Sequence, residues 1–182
     1  MKNYILTLFL LIAGAATAAP ILTLNPANGA LKVEPGGTSG WGFSLTSDDT
    51  RWLSVIGSTL LTESNPGLGT YTDLIGALGG PVDFALAPLA PAWQLNFDNS
   101  LGFGVGSFTV NANAALGAVN SGILRVIVEA YSDSPSVCGG NCVVETLTFD
   151  APFSVSSEVP EPATIYTVAL VVLGIYARRR MR

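Results

Sequence analysis

An all-β sandwich is the fold this 182-residue sequence predicts, and three observations predict it. Apolar residues recur at every second position in several short stretches, as they do in a strand with one buried face. Clusters of Gly, Pro, Asn, Asp and Ser punctuate those stretches at close intervals. Between residues 19 and 158 no long segment carries a convincing helical period. About eight or nine short strands so spaced suggest two packed sheets.

The chain opens with Met1-Lys2-Asn3, an apolar run from Tyr4 to Ala13, then Gly14 and small residues. Ala16-Thr17-Ala18 fits the small-x-small pattern of a signal peptide, so residues 1–18 are expected to be removed by signal peptidase, with Ala19 the next choice of boundary. The apolar run is short for a bilayer core of about 30 Å. Residues 19–158 remain, enough for one domain with a real core.

Within that domain Ile21–Leu24 is a first, weaker strand candidate, followed by the turn-forming "NPANG" and "EPGG". In "GWGFSLTS", Trp41, Phe43 and Leu45 share one face. Trp52–Thr62 is a further candidate, closed by "NPG" at Asn65–Gly67. "TDLIGALGG" can start a helix capped by Thr72 or Asp73, but its glycines limit it to a turn or two. After "GGP" come Val82–Ala87 and Trp93–Phe97, and then "DNS" at Asp98–Ser100. "GSFTV" sets Phe108 and Val110 on one face, and "ILRVIVEAY" sets Leu124, Val126, Val128 and Ala130 opposite Arg125 and Glu129. "VVETLTF" must accommodate Glu145 among Val143, Leu147 and Phe149. Phe153–Ser156 is a weaker candidate, and "DAPFSVSSEV", Asp150–Val159, reads as a last strand running into a short polar tether.

Charge and residue type exclude several functions. The domain holds three bases, Lys32, Arg51 and Arg125, against twelve acids, a balance of −9. Nucleic acid and anionic lipid repel such a surface, because phosphate binding needs clustered Lys and Arg. With no histidine, Ser-His-Asp and Cys-His machineries and His-ligated zinc are ruled out. "GFGVG" lacks the spacing of a dinucleotide fingerprint, and its glycines read as a bend or bulge. No catalytic residue and no cofactor is expected.

Cys138 and Cys142, in "CGGNC", read as a structural disulfide that pins a loop tip. A loop of five confers about 2 kcal/mol at best. Free thiols, or metal or redox chemistry, are the alternatives. Asp48-Asp49 and Asp98-Asn99 sit in expected loops with the hard oxygen ligands calcium prefers, although neither stretch completes a loop motif. Trp41, Trp52 and Trp93 suit the core better than a sugar-stacking platform.

The tail 159–182 has three parts. Val159-Pro160-Glu161-Pro162 is stiff and disfavours helix. Ala163–Ala177 is uncharged and reaches roughly 22 Å as a helix, a short transmembrane span. Arg178, Arg179, Arg180 and Arg182 then act as a stop-transfer cluster, placed in the cytoplasm by the positive-inside rule.

Two resemblances follow. The stretch "LNPANGALKVEPGGTSGWGFSLTSDDTRWLSV" resembles the opening of small exported bacterial domains of immunoglobulin-like type, which implies a sandwich of that type and no defined activity. A "GTYTD" segment like Gly69–Asp73 is also found among exported PEP-CTERM proteins. The tail resembles the PEP-CTERM sorting signal, with Pro160-Glu161-Pro162 as its namesake and Ala163-Thr164 a frequent continuation. That resemblance implies handling by an exosortase after export through the secretion machinery and a transient stay in the inner membrane. The domain would lie outside, and the protein would then pass to the cell surface or extracellular matrix. The expected function is a non-enzymatic surface or matrix protein associated with exopolysaccharide or biofilm. A carbohydrate-binding module is the alternative, with a carboxylate-dependent extracellular hydrolase behind it.

Overall fold

The computed structural model describes residues 19–47, 50–78, 85–139 and 141–158. The expected signal peptide, the expected transmembrane span and the expected sorting tail all lie outside these residues. Among the described residues, no helix is long and apolar enough to cross a membrane.

The described residues form ten strands in chain order: β1 (Leu22–Asn25), β2 (Ala30–Val33), β3 (Thr38–Leu45), β4 (Trp52–Glu63), β5 (Gly69–Asp73), β6 (Ala85–Leu86), β7 (Trp93–Leu95), β8 (Gly106–Val110), β9 (Val119–Tyr131) and β10 (Val143–Ser157). Among the described residues, two single-turn α-helices, α1 (Ile75–Leu78) and α2 (Pro135–Cys138), and a 3-10 turn at Pro66–Leu68 interrupt them. The first sheet has the order β1-β3-β8-β5, with β7 also paired to β3. The second has the order β2-β10-β9-β4-β6. All pairs are antiparallel except β2 with β10.

The alternation read from the sequence becomes the inward face of each sheet. Trp41, Phe43 and Leu45 of β3 and Phe108 and Val110 of β8 are buried from one side. Leu124, Val126, Val128 and Ala130 of β9 and Leu53 and Val55 of β4 are buried from the other. All belong to one apolar cluster, each large side chain contributing about 1.5–3 kcal/mol by leaving water. Trp41 joins the layers. Its ring lies edge-on to Phe153 of β10 at 5.7 Å between centroids, and its indole N–H donates to the Gly29 carbonyl at 2.9 Å.

Three details differ from the sequence expectation. The strands expected over "VVETLTF" and Phe153–Ser156 are one strand, β10, that runs through Pro152. Ser154 N–H bonds to Gly29 O on the β2 side, so the proline two residues earlier lacks its N–H on that same flank. The β2 ladder begins only at Ser154, so no strand bond is lost there. A register shift between Val143 and Glu145 re-phases β10, and Glu145 is exposed and ion-paired with Arg51. Strands β2 and β5 carry too little apolar alternation to have been singled out. The one-turn helix after Asp73 is as expected, with the Ile75 N–H bonded to Asp73 Oδ1 at 3.0 Å.

Candidate functional site

The outer face of the first sheet carries a groove of about 200 Å³, built from β1, β3 and β7. Strand register places Thr23 beside Ser44 and Ser44 beside Gln94, forming a row of hydroxyl and amide groups across three strands. One step along, Asn25 pairs with Gly42, which has no side chain to fill the space. A Cβ at Gly42 would sit 2.9 Å from the Cα of Asn96, so glycine is what allows the chain leaving β7 to cross β3 there. Phe97 continues that crossing and lies over Gly40. Asn25 Nδ2 donates to Asn96 Oδ1 at 3.0 Å, closing the end of the groove with a pair of amides. Leu24, Ala27 and Phe43 complete the lining, which contains no ionisable group.

A second polar constellation lies between the sheets. Ser58 of β4 places its Oγ 2.6 Å from Tyr71 Oη, 2.8 Å from Asp73 Oδ1 and 2.7 Å from the Val105 carbonyl. The phenol donates to the serine oxygen, whose single proton serves the carboxylate and the carbonyl. Burial raises the Tyr71 phenol well above its ordinary value near 10, and the Asp73 charge adds to it. Ser58 is only 8% exposed, so the hydroxyl serves as a tie between the layers rather than a group open to a substrate.

The residues singled out from the sequence fall as follows. Cys138 and Cys142 are joined by a disulfide at the β9–β10 connection. Ala19 is exposed, while Ala16 and Ala18 lie outside the described residues. So do Val159, Pro160, Glu161, Pro162, Ala163, Thr164 and the arginines Arg178, Arg179, Arg180 and Arg182. Of the calcium candidates, Asp48 and Asp49 are likewise outside. Asp98 is committed to its own turn: Oδ1 accepts from the Ser100 hydroxyl at 2.6 Å and from the Ser100 and Leu101 amides. Those bonds, the hydroxyl's first, hold its carboxyl below the usual range. Among the described residues no group of three or more Cys, Asp or Glu is placed to hold a metal ion.

Trp41 is fully buried, and Trp93 packs edge-on against Phe43 at 4.9 Å between centroids. Trp52 and Trp93 belong to different sheets, so they make no stacking pair on one face. Lys32 pairs with Glu158, Arg51 with Glu145 and Arg125 with Asp150. The groove residues Thr23, Asn25, Ser44, Gln94 and Asn96 were not singled out from the sequence. Hydroxyls and amides on a strand's outer face look like ordinary solvated positions. The available signal was the spacing of Gly40 and Gly42 between outward Thr38 and Ser44, which marks a crossing chain.

No protein-family model matches the chain, and no curated protein matches it significantly. Among solved structures, the chain is similar to a family 123 glycoside hydrolase from Clostridium perfringens, studied for glycolipid glycan hydrolysis. The identity is 10% over 78% of this chain and 28% of that one, with a TM-score of 0.25. At that score the likeness carries no argument about fold or activity.

Proposed function

We propose that this chain is an exported, non-enzymatic surface or matrix protein, sorted by an exosortase and associated with exopolysaccharide. The observation that carries the reading is the order of the tail: a Pro-Glu-Pro neck, an undersized apolar span and an arginine cluster, at residues 159–182. The domain's last strand ends at Ser157, just ahead of that neck. Glu158 is held to β2 by a backbone bond to Val33 and an ion pair with Lys32.

Strand order supports the immunoglobulin-like assignment of the sandwich. Taking β1, β3, β4, β5, β8, β9 and β10 as A to G gives one sheet A-B-E-D and another containing C-F-G, the arrangement of constant-type domains. Strands β2, β6 and β7 are additions to that plan.

The test is the intact mass of the protein recovered from outside the cell, with its C-terminal peptide sequenced. Loss of everything beyond the neighbourhood of Pro160–Pro162 is expected. Retention of Arg178–Arg182 on the released protein would overturn the sorting reading, as would unchanged localisation after deletion of residues 159–182. A carbohydrate-binding module is the second reading, favoured by the uncharged groove on β1, β3 and β7.

A further inference from the structure

We infer that the groove between Thr23, Asn25, Ser44, Gln94 and Asn96 is a binding site for a neutral sugar unit. This deepens the association with exopolysaccharide proposed above and rests on that reading for the source of the ligand.

The groove's chemistry points to sugar hydroxyls. A sugar hydroxyl both donates and accepts, and so needs partners able to do both. Each primary amide presents a carbonyl and an NH₂ group, and each hydroxyl presents a proton and lone pairs. Three amides and two hydroxyls around one space meet that requirement from several sides. The volume, about 200 Å³, falls below the roughly 300–1,000 Å³ of sites for drug-sized ligands, which suits one ring rather than several.

The absence of ionisable groups selects among sugars. The domain around the groove has a balance of −9, which repels uronates and sulfated units from a site with no cation to offset the charge. The walls are positioned before any ligand arrives. Thr23, Ser44 and Gln94 stand on three hydrogen-bonded strands, and Asn25 and Asn96 hold each other across the end. Little ordering is left for binding to impose. A single shallow site binds weakly, and repeated units along a polymer supply the avidity.

The test uses the full-length protein in a detergent without sugar headgroups, isotopically labelled for NMR. The probes are neutral methyl hexosides and a neutral hexose oligomer, set against a uronate oligomer. Neutral probes are expected to shift the side-chain amide signals of Asn25, Gln94 and Asn96 saturably, with an affinity unmoved by a roughly tenfold rise in ionic strength. Gln94→Ala, or the near-isosteric Thr23→Val on the opposite wall, should weaken binding about three- to tenfold, the effect of one neutral hydrogen bond. Tighter binding of the uronate overturns the assignment. So does unweakened binding in both variants, or silence of those amides toward every probe. Tail processing is read by mass and location alone, so failure of the sorting reading and failure of the sugar site are told apart.

Discussion

Replacing Ser58 by alanine removes the hydroxyl on which Tyr71, Asp73 and Val105 converge between the sheets. The three partners are not equally affected. The Val105 carbonyl keeps the Leu74 N–H at 3.4 Å, and Asp73 Oδ1 keeps the Ile75 N–H at 3.0 Å. The Tyr71 phenol, in a largely buried position, loses its acceptor at 2.6 Å. A buried polar group left unsatisfied costs about 1–3 kcal/mol, so Ser58→Ala should destabilise by about 2 kcal/mol. Tyr71→Phe leaves the serine proton both its acceptors and should cost about 1 kcal/mol. With both changes present there is no orphaned phenol, and the double variant should lose about 2 kcal/mol rather than the additive 3. Equilibrium urea unfolding, followed by tryptophan fluorescence, measures the cycle. Single-variant losses that add to within about 0.3 kcal/mol would refute the tie and leave Ser58 a packing residue.

Two further outcomes are expected. Burial raises the phenols of Tyr71 and Tyr131, the latter also through its bond to Glu129, above the ordinary value near 10. The unfolded chain then releases those protons first. Their contribution to stability is therefore complete below about pH 10 and is lost as pH rises beyond it. Melting temperatures across that limb should fall less steeply in Tyr71→Phe and Tyr131→Phe than in the parent. Gly29 and Gly117 both have positive φ, +64° and +78°, so alanine at either meets the left-handed penalty of about 1–2 kcal/mol. Only at Gly29 does the new Cβ also press on the Pro152–Phe153 backbone, so Gly29→Ala should cost about 1–3 kcal/mol more by urea unfolding. Equal losses would show that the turn yields without disturbing β10.

How much was legible in the sequence depends on what each element needed to form. Strands β3, β8 and β9 form because apolar side chains face one core, and their alternation states this openly: Trp41, Phe108 and Val126 are fully buried. Strand β2 has four residues and β5 has a glycine, two threonines and an aspartate among its five, so their pairing is set by neighbours far along the chain. That one strand, β10, runs unbroken from Val143 through Pro152 was not legible, because the sequence does not show which flank of a strand lacks a partner. Glu145 was correctly flagged as a misfit, and its resolution, Arg51, lies 94 residues away. Asp73 was legible as a helix cap through its local spacing, whereas its bond to Ser58 required two sheets to meet. The groove was least legible, since Asn25 and Asn96 are brought together only by the path of the backbone across Gly42.

The parallel pairing of β2 with β10 governs the timing of folding. A chain delivered N-terminus first presents β2 early, yet among the described residues its one partner in the sheet order is the last strand to arrive. Lys32 and Glu158, which finish that edge, are 126 residues apart. Contacts of such long range form slowly, and an unpaired strand edge in the meantime invites association with other chains. A chain halted before β10 is thus left with an open seam along β9 and a stranded β2. Completion of the second sheet coincides with the emergence of Glu158, so the sandwich closes as the proposed sorting tail begins to follow.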